Sequence, residues 1–218
     1  MENNVSFSLL ELFQMGGMVM WPLTAYSIAV ITIGLERIVY LTYHKLRIDD
    51  ISGKVSELVR NGNYQGAADY LSPLTKRRMG ARVLLALVNR ATPGREKSFS
   101  ERHVERAAEA EAMTCINSLE NGFNFLVALG SLSPLTGFLG TVTGMIGAFR
   151  AIAEASEVNA QIVAGGIYEA LITTVYGLIV AIIAMVFHSI LSHIVDRFAA
   201  NVERTCSHLI AEITEQQA

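Results

Sequence analysis

Charge is what this sequence lacks. Of 218 residues only 17% are Asp, Glu, Lys or Arg, while 51% are hydrophobic, and mean hydropathy is +0.38. The deficit is local. No charged residue occurs from Leu12 to Leu35, 24 positions, and none from Asn121 to Phe149, 29 positions. From Val158 to Val195, 38 positions, Glu169 is the single charge. A helix on a soluble core must turn one face to water and rarely stays uncharged for so long. About 20 mainly apolar residues cross a bilayer as a helix, so the three runs are predicted to be three transmembrane helices. Cysteine is also scarce: Cys115 and Cys206 fit no metal or redox spacing and read as small helical side chains. The opening "MENNVSFSLLELFQMGG" has no Lys or Arg, so it lacks the basic start of a cleavable signal peptide. Its Leu9, Leu10 and Phe13 have helical spacing and suggest a piece lying along the membrane surface. A net charge of −3 gives no reason to expect a nucleic-acid partner. No strand pattern, low-complexity tract or internal repeat is present.

The basic residues are unevenly placed. Fourteen of the 17 Lys and Arg lie between Arg37 and Arg106; Arg150 stands between the second and third runs, and Arg197 and Arg204 follow the third. The positive-inside rule places the Arg37–Arg106 segment in the cytoplasm, with Arg37, Lys45 and Arg47 close enough to a span end to count. The expected plan is an N-terminal periplasmic or interfacial segment over 1–15, spans over 16–41, 121–149 and 162–192, a cytoplasmic helical region over 42–120, a short periplasmic connection over 150–161 and a cytoplasmic C-terminal helix over 193–218. The fold class is an all-α membrane protein in which the second and third spans extend into the cytoplasmic helical region.

Within that region Ile51, Val55, Leu58 and Val59 share a helical face, and "RNGNY" signals a turn. Tyr64, Ala67, Ala68 and Leu71 suggest a short helix ending at Pro73, and Met79 to Ala91 another. From about Ser98 the chain reads as helical without a break into the second span, with Val104, Ala108, Cys115, Ile116 and Leu119 inward. The third span is predicted to continue to about Ile213, with Ile194, Phe198, Val202 and Leu209 as its buried stripe.

In the second span Gly130, Ser133, Gly137, Gly140, Thr141, Gly144, Gly147 and Ala148 fall on one face. Small residues let helix backbones approach closely in lipid, where no hydrophobic effect drives association. Gly137, Gly140, Gly144 and, in the third span, Gly177 are therefore expected to be helix-packing positions. Pro134 is expected to bend the second span. The third-span stripe is Glu169, Thr173, Gly177, Ala181, Ala184 and His188, flanked by Ala170 and Thr174. A charged side chain at the bilayer centre costs about 2.5–3.5 kcal/mol on insertion scales, and no span carries a basic residue to offset it. Glu169 must then face a polar cavity or another chain, unless it lies solvated at the outer interface.

One acid and a few hydroxyls in one copy do not line a path across about 30 Å of hydrocarbon. Several copies around an axis line a pore with rings of Glu169, Thr174 and Thr141. A proton-exchanging carboxylate near the midplane has to come from another subunit, so an oligomer with a partner is expected.

The pair "GSLSPLTGFLGTVTGMIGAF" and "IVAGGIYEALITTVYGLIVAIIAMVFH" resembles the MotA/TolQ/ExbB proton-channel family, in its ExbB and TolQ branch, strongly from Leu126 to His188. That resemblance implies a homo-oligomer, a pentamer, around the single spans of an ExbD/TolR-like partner that carries a membrane aspartate. It implies proton-motive-force-driven motion delivered to TonB-like or Pal-type envelope proteins, in the bacterial inner membrane. Thr141 and Thr174 match the family's pore threonines of the second and third spans, and Glu169 matches the glutamate that opens the family's third-span motif; Thr173 stands where the family varies. Gly165 replaces a frequent proline, and Tyr168 a small residue. A four-span flagellar architecture fits poorly. The alternative is a passive oligomeric scaffold without ion conduction. An intramembrane enzyme is not expected: His188 and His193 are five apart and share no helix face, and no nucleophile–base set, metal site or cofactor motif is present.

Overall fold

The computed structural model describes residues 13, 16–92, 101–154 and 160–217. Among these, seven α-helices follow in order. They are α1 (Met20–Tyr43), α2 (Asp49–Arg60), α3 (Tyr64–Leu71), α4 (Met79–Ala91), α5 (Glu101–Glu120), α6 (Phe123–Glu154) and α7 (Ala160–Gln217), with a 3-10 turn at Ser72–Leu74 after α3. No strand occurs among the described residues. The reading of Leu9 and Leu10, and the start near Ser98, lie outside them. Three helical stretches are long and apolar enough to span a membrane: Met20–Tyr43, Glu101–Glu154 and Ala164–Glu215. In their most apolar windows only 17%, 28% and 33% of positions are buried. Side chains such as Trp21, Phe138 and Ile182 stand more than 60% exposed. Apolar surface so extensive is stable against lipid or other helices, not water. This is an all-α membrane protein.

The chain divides into two compact units. One comprises residues up to Leu35 with Gly122–Ser189, and the other Glu36–Asn121 with Ile190–Ala218.

In the first unit α1, α6 and α7 pack through Met20, Leu23 and Val30, through Leu126, and through Ala170, Val180 and Ala184, all buried. α1 and α7 meet where Gly34 lies flat against the Phe187 ring, which a Cβ there would meet at 2.8 Å. α6 runs unbroken through Pro134. Proline supplies no N–H, so the Gly130 carbonyl goes without its helical donor.

In the second unit α2 buries Ile51, Val55 and Val59, and α3 buries Tyr64, Ala67 and Leu71, as their spacing predicts. The turn between them uses Gly62 at φ +70°, and Asn63 caps α3 by accepting from the Gly66 N–H at 2.8 Å. α4 spans the expected Met79–Ala91. Two expectations are corrected. The helix from α5 into the second span is broken at Asn121–Gly122, because Gly122 takes φ +90°, which ends a right-handed helix. On α7 the inward stripe is Leu191, Val195, Phe198, Val202 and Leu209; Ile194 is exposed at 38%. The stripe is displaced by one position there, which keeps the i, i+4, i+7 spacing with Phe198.

An acid is enclosed in this unit. Glu212 accepts from the Ser56 hydroxyl at 2.6 Å and from the Arg60 guanidinium, with His208 Nδ1 at 3.5 Å. Burial pushes its pKa up, but the bonds from Ser56 and Arg60 and the Arg60 charge outweigh that and hold the carboxyl below its ordinary value.

Candidate functional site

The candidate site lies where α6 and α7 are closest, and glycine makes the approach possible. A Cβ on Gly177 would meet the Ser133 carbonyl at 2.5 Å, and one on Gly137 the Thr173 carbonyl at 2.8 Å. A Cβ on Gly140 would collide with the Thr173 hydroxyl, and one on Gly144 would meet Ala170 Cβ at 3.0 Å. The partners at Gly137 and Gly177 are backbone atoms, which cannot rotate aside. All four glycines that the sequence assigns to helix packing thus lie in the α6–α7 contact. α7 reciprocates at Gly166, where a Cβ would meet Ala148 Cβ at 2.6 Å.

The hydroxyls differ in what they do. Thr173 is 1% exposed; its Oγ1 donates to the Ala170 carbonyl at 2.8 Å and lies 3.3 Å from the Gly137 carbonyl. Thr174 Oγ1 donates to the same Gly137 carbonyl at 3.1 Å and is half-buried. The bare Gly137 backbone therefore receives two hydroxyls from α7. Thr141 is half-buried and donates to the Phe138 carbonyl of its own helix at 2.6 Å, the way an intramembrane hydroxyl satisfies its donor locally. Its lone pairs stay available.

Glu169 is half-buried, one turn before Thr173 on α7. Its carboxylate abuts the backbone of Gly17, in the turn that precedes α1, and a Cβ on Gly17 would collide with Oε1. Gly17 has φ +62°, a left-handed conformation that glycine adopts without steric cost. Among the described residues Glu169 forms no hydrogen bond or ion pair. It opens into a cavity of about 390 Å³, walled by Met18 and Val19 of that turn, by Thr143, Gly144, Gly147, Ala148 and Ala151 of α6, and by Gly166 of α7. Gly17 was not visible to sequence reasoning. Its "GG" dipeptide marks a turn, but nothing in its spacing ties it to an acid 152 positions away, 169 minus 17.

Of the sequence-predicted residues, Glu169, Thr173 and Thr174 follow one another along α7 and face α6. Thr141 lies on α6 one turn from Gly137 and is joined to them by no direct hydrogen bond. His188 is held elsewhere, edge-on to Phe123 with centroids 6.0 Å apart.

Residues 75–204 match the MotA/TolQ/ExbB proton channel family. Three relatives show the same affinity. A putative biopolymer transport protein ExbB homolog of Methanothermobacter thermautotrophicus is 30% identical over 194 residues, 87% of this chain and 64% of the relative. A putative ExbB-like protein of Synechocystis is 32% identical over 204 residues, 88% of this chain and 75% of the relative. The Tol-Pal system protein TolQ of Haemophilus influenzae is 41% identical over 99 residues, 45% of this chain and 42% of the relative. The chain spans just under two thirds of the first relative's length. The matched region holds α6 and most of α7, including Glu169 and all three threonines of the site. The chain therefore belongs to the MotA/TolQ/ExbB proton channel family, in its ExbB/TolQ branch.

Proposed function

We propose that this chain is the channel subunit of an inner-membrane motor that couples the proton motive force to work on the cell envelope. Copies assemble, as a pentamer, around the single spans of an ExbD/TolR-like partner that supplies a membrane aspartate. TonB-like or Pal-type proteins receive the work. The segment 42–120 and the C-terminal helix face the cytoplasm, and the 150–161 connection faces the periplasm. Glu169, Thr174 and Thr141 line the proton path, and Thr173 adjoins it at the α6–α7 contact.

One observation carries this reading. A single carboxylate stands in a 38-residue run otherwise free of charge, half-buried and without a protein partner among the described residues. An ionised carboxylate is costly to enclose unpaired. A carboxyl group is also a chemically competent site for taking up a proton from water and giving it back. Hydroxyls with satisfied donors and open lone pairs at Thr174 and Thr141 hold water or the partner's acid.

The test is to replace Glu169 by Ala and, separately, Thr174 by Val, and to measure proton-motive-force-dependent work with the assembly intact. Loss of output in both variants is expected. Full output from a normally assembled Glu169→Ala complex would reject the reading. The scaffold alternative draws on the tight α6–α7 face, and it predicts that these substitutions disturb assembly and leave nothing to measure in transport.

A further inference from the structure

The half-open cavity beside Glu169 is lined within a single chain, by the turn before α1 and the two helices α6 and α7. Its lining residues on α6, Thr143 to Ala151, and on α7, Gly166 and Glu169, are those nearest the 150–161 connection. The cavity therefore lies toward the end of the α6–α7 pair that carries this connection.

Three features bear on what fills it. First, about 390 Å³ is room for on the order of ten waters at ~30 Å³ each. Second, the polar side chains among its lining residues are Glu169, whose carboxylate lacks any hydrogen bond among the described residues, and Thr143. Thr143 spends its donor on the Leu139 and Gly140 carbonyls, so it offers lone pairs only. Waters need two to four polar partners to stay in a cavity, and a carboxylate that ionises in an enclosed site needs donors. Each requirement meets the other here. Third, the walls are kept back by glycine. A Cβ on Gly147 would meet nothing within 4 Å, whereas one on Gly17 would collide with the Glu169 carboxylate.

We infer that this cavity is an intraprotomer water chamber through which protons reach Glu169 from the side of the 150–161 connection. Resting on the channel reading above, it adds the route of access. A hydronium in the chamber gives its proton to a Glu169 carboxylate oxygen and remains as water. The neutral acid then returns that proton to a water or acceptor farther along the path, so charge balances at each transfer. The chamber needs one copy only, so each protomer has its own supply.

The experiment uses the full chain in its native assembly, with Cys115 and Cys206 replaced by Ser. Cysteine is placed at Gly147, in the chamber wall, or at Ile146, which is 62% exposed and lines no part of the chamber. Each is treated with a membrane-impermeant methanethiosulfonate ammonium reagent applied from the side of the 150–161 connection. Modification of Gly147→Cys at least tenfold faster than Ile146→Cys is expected. In parallel, Gly147→Leu fills the chamber, whereas Gly165→Leu adds the same bulk where a Cβ also meets nothing within 4 Å. Proton-driven output is expected to fall at least tenfold in Gly147→Leu and less than twofold in Gly165→Leu. Labelling at 147 no faster than at 146, or output of Gly147→Leu within twofold of the parent, overturns the chamber. If Glu169→Ala still abolishes output in that case, the channel reading survives and only the access route is lost.

Discussion

The carboxylate of Glu169 and the backbone of Gly17 occupy adjoining space, and neither residue tolerates change in the other's direction. Gly17→Ala places a methyl on the carboxylate and forces a non-glycine residue to φ +62°. The left-handed conformation alone costs about 1–2 kcal/mol. The expected outcome is a lower melting temperature of the detergent-solubilised assembly together with reduced proton-driven work, both read on one preparation. Thr173→Val is the mild counterpart. It keeps the volume and removes one hydroxyl whose bonds are to backbone carbonyls, and intramembrane hydrogen bonds average about 0.6 kcal/mol. A melting temperature within about two degrees of the parent is expected, whereas Thr174→Val abolishes output. Glu169 was legible in the sequence because it interrupts 38 positions otherwise free of charge. The separation of Thr173 from Thr174 was not. Adjacent positions on a helix share a face loosely, and only the close approach at Gly137 decides which one is sealed in.

Element by element, the packed glycines and the enclosed acid make different demands. Gly177→Ala sets a Cβ 2.5 Å from the Ser133 carbonyl. Backbone cannot give locally, so α6 and α7 must separate, at about 1–3 kcal/mol for an overpacked contact. Gly165→Ala meets nothing and gains about 0.5–1 kcal/mol of helix propensity. Thermal unfolding should therefore lower the first variant and leave the second equal or higher. In the second unit the depressed pKa of Glu212 sets the sign of an acid effect. Its stabilisation is fully present above its unfolded value near 4.5 and is lost as pH falls through the lower folded value. Glu212→Gln should destabilise the unit by about 1–2 kcal/mol at pH 7, and the gap between variant and parent should close below about pH 4.5 in a thermal-unfolding series. Helix periodicity predicted α2 and α3 with most of their inward residues, and the bounds of α4, because each has an apolar stripe and a turn signal at its end. It missed the break at Gly122 because apolar helical spacing runs on from either side, although Asn121-Gly122 is the same kind of turn signal as in "RNGNY". It also missed Glu212, although that acid stands between the buried Leu209 and Ile213. A residue at the border of a buried stripe is solvated or enclosed according to what the neighbouring helix offers, here Ser56 and Arg60.

At the scale of the whole molecule, three spans leave much of their apolar surface uncovered in one chain, and one span carries an acid that has no partner within the described residues. On the reading proposed above, both features have a purpose: the surface meets lipid and further copies, and the acid meets protons. The native thiols are bystanders. Cys115 and Cys206 are buried, and burial pushes each up to about 11. Neither should react appreciably with maleimide at pH 7 until the chain is unfolded, which mass spectrometry of the labelled assembly checks. The most direct measurement of the central claim is proton flux. The assembly, purified with whatever single-span chain accompanies it, is reconstituted into liposomes and placed under an imposed proton gradient. Flux that is clear in the parent and at least tenfold lower in an equally assembled Glu169→Gln variant is the predicted result; equal flux in the two preparations would contradict the account.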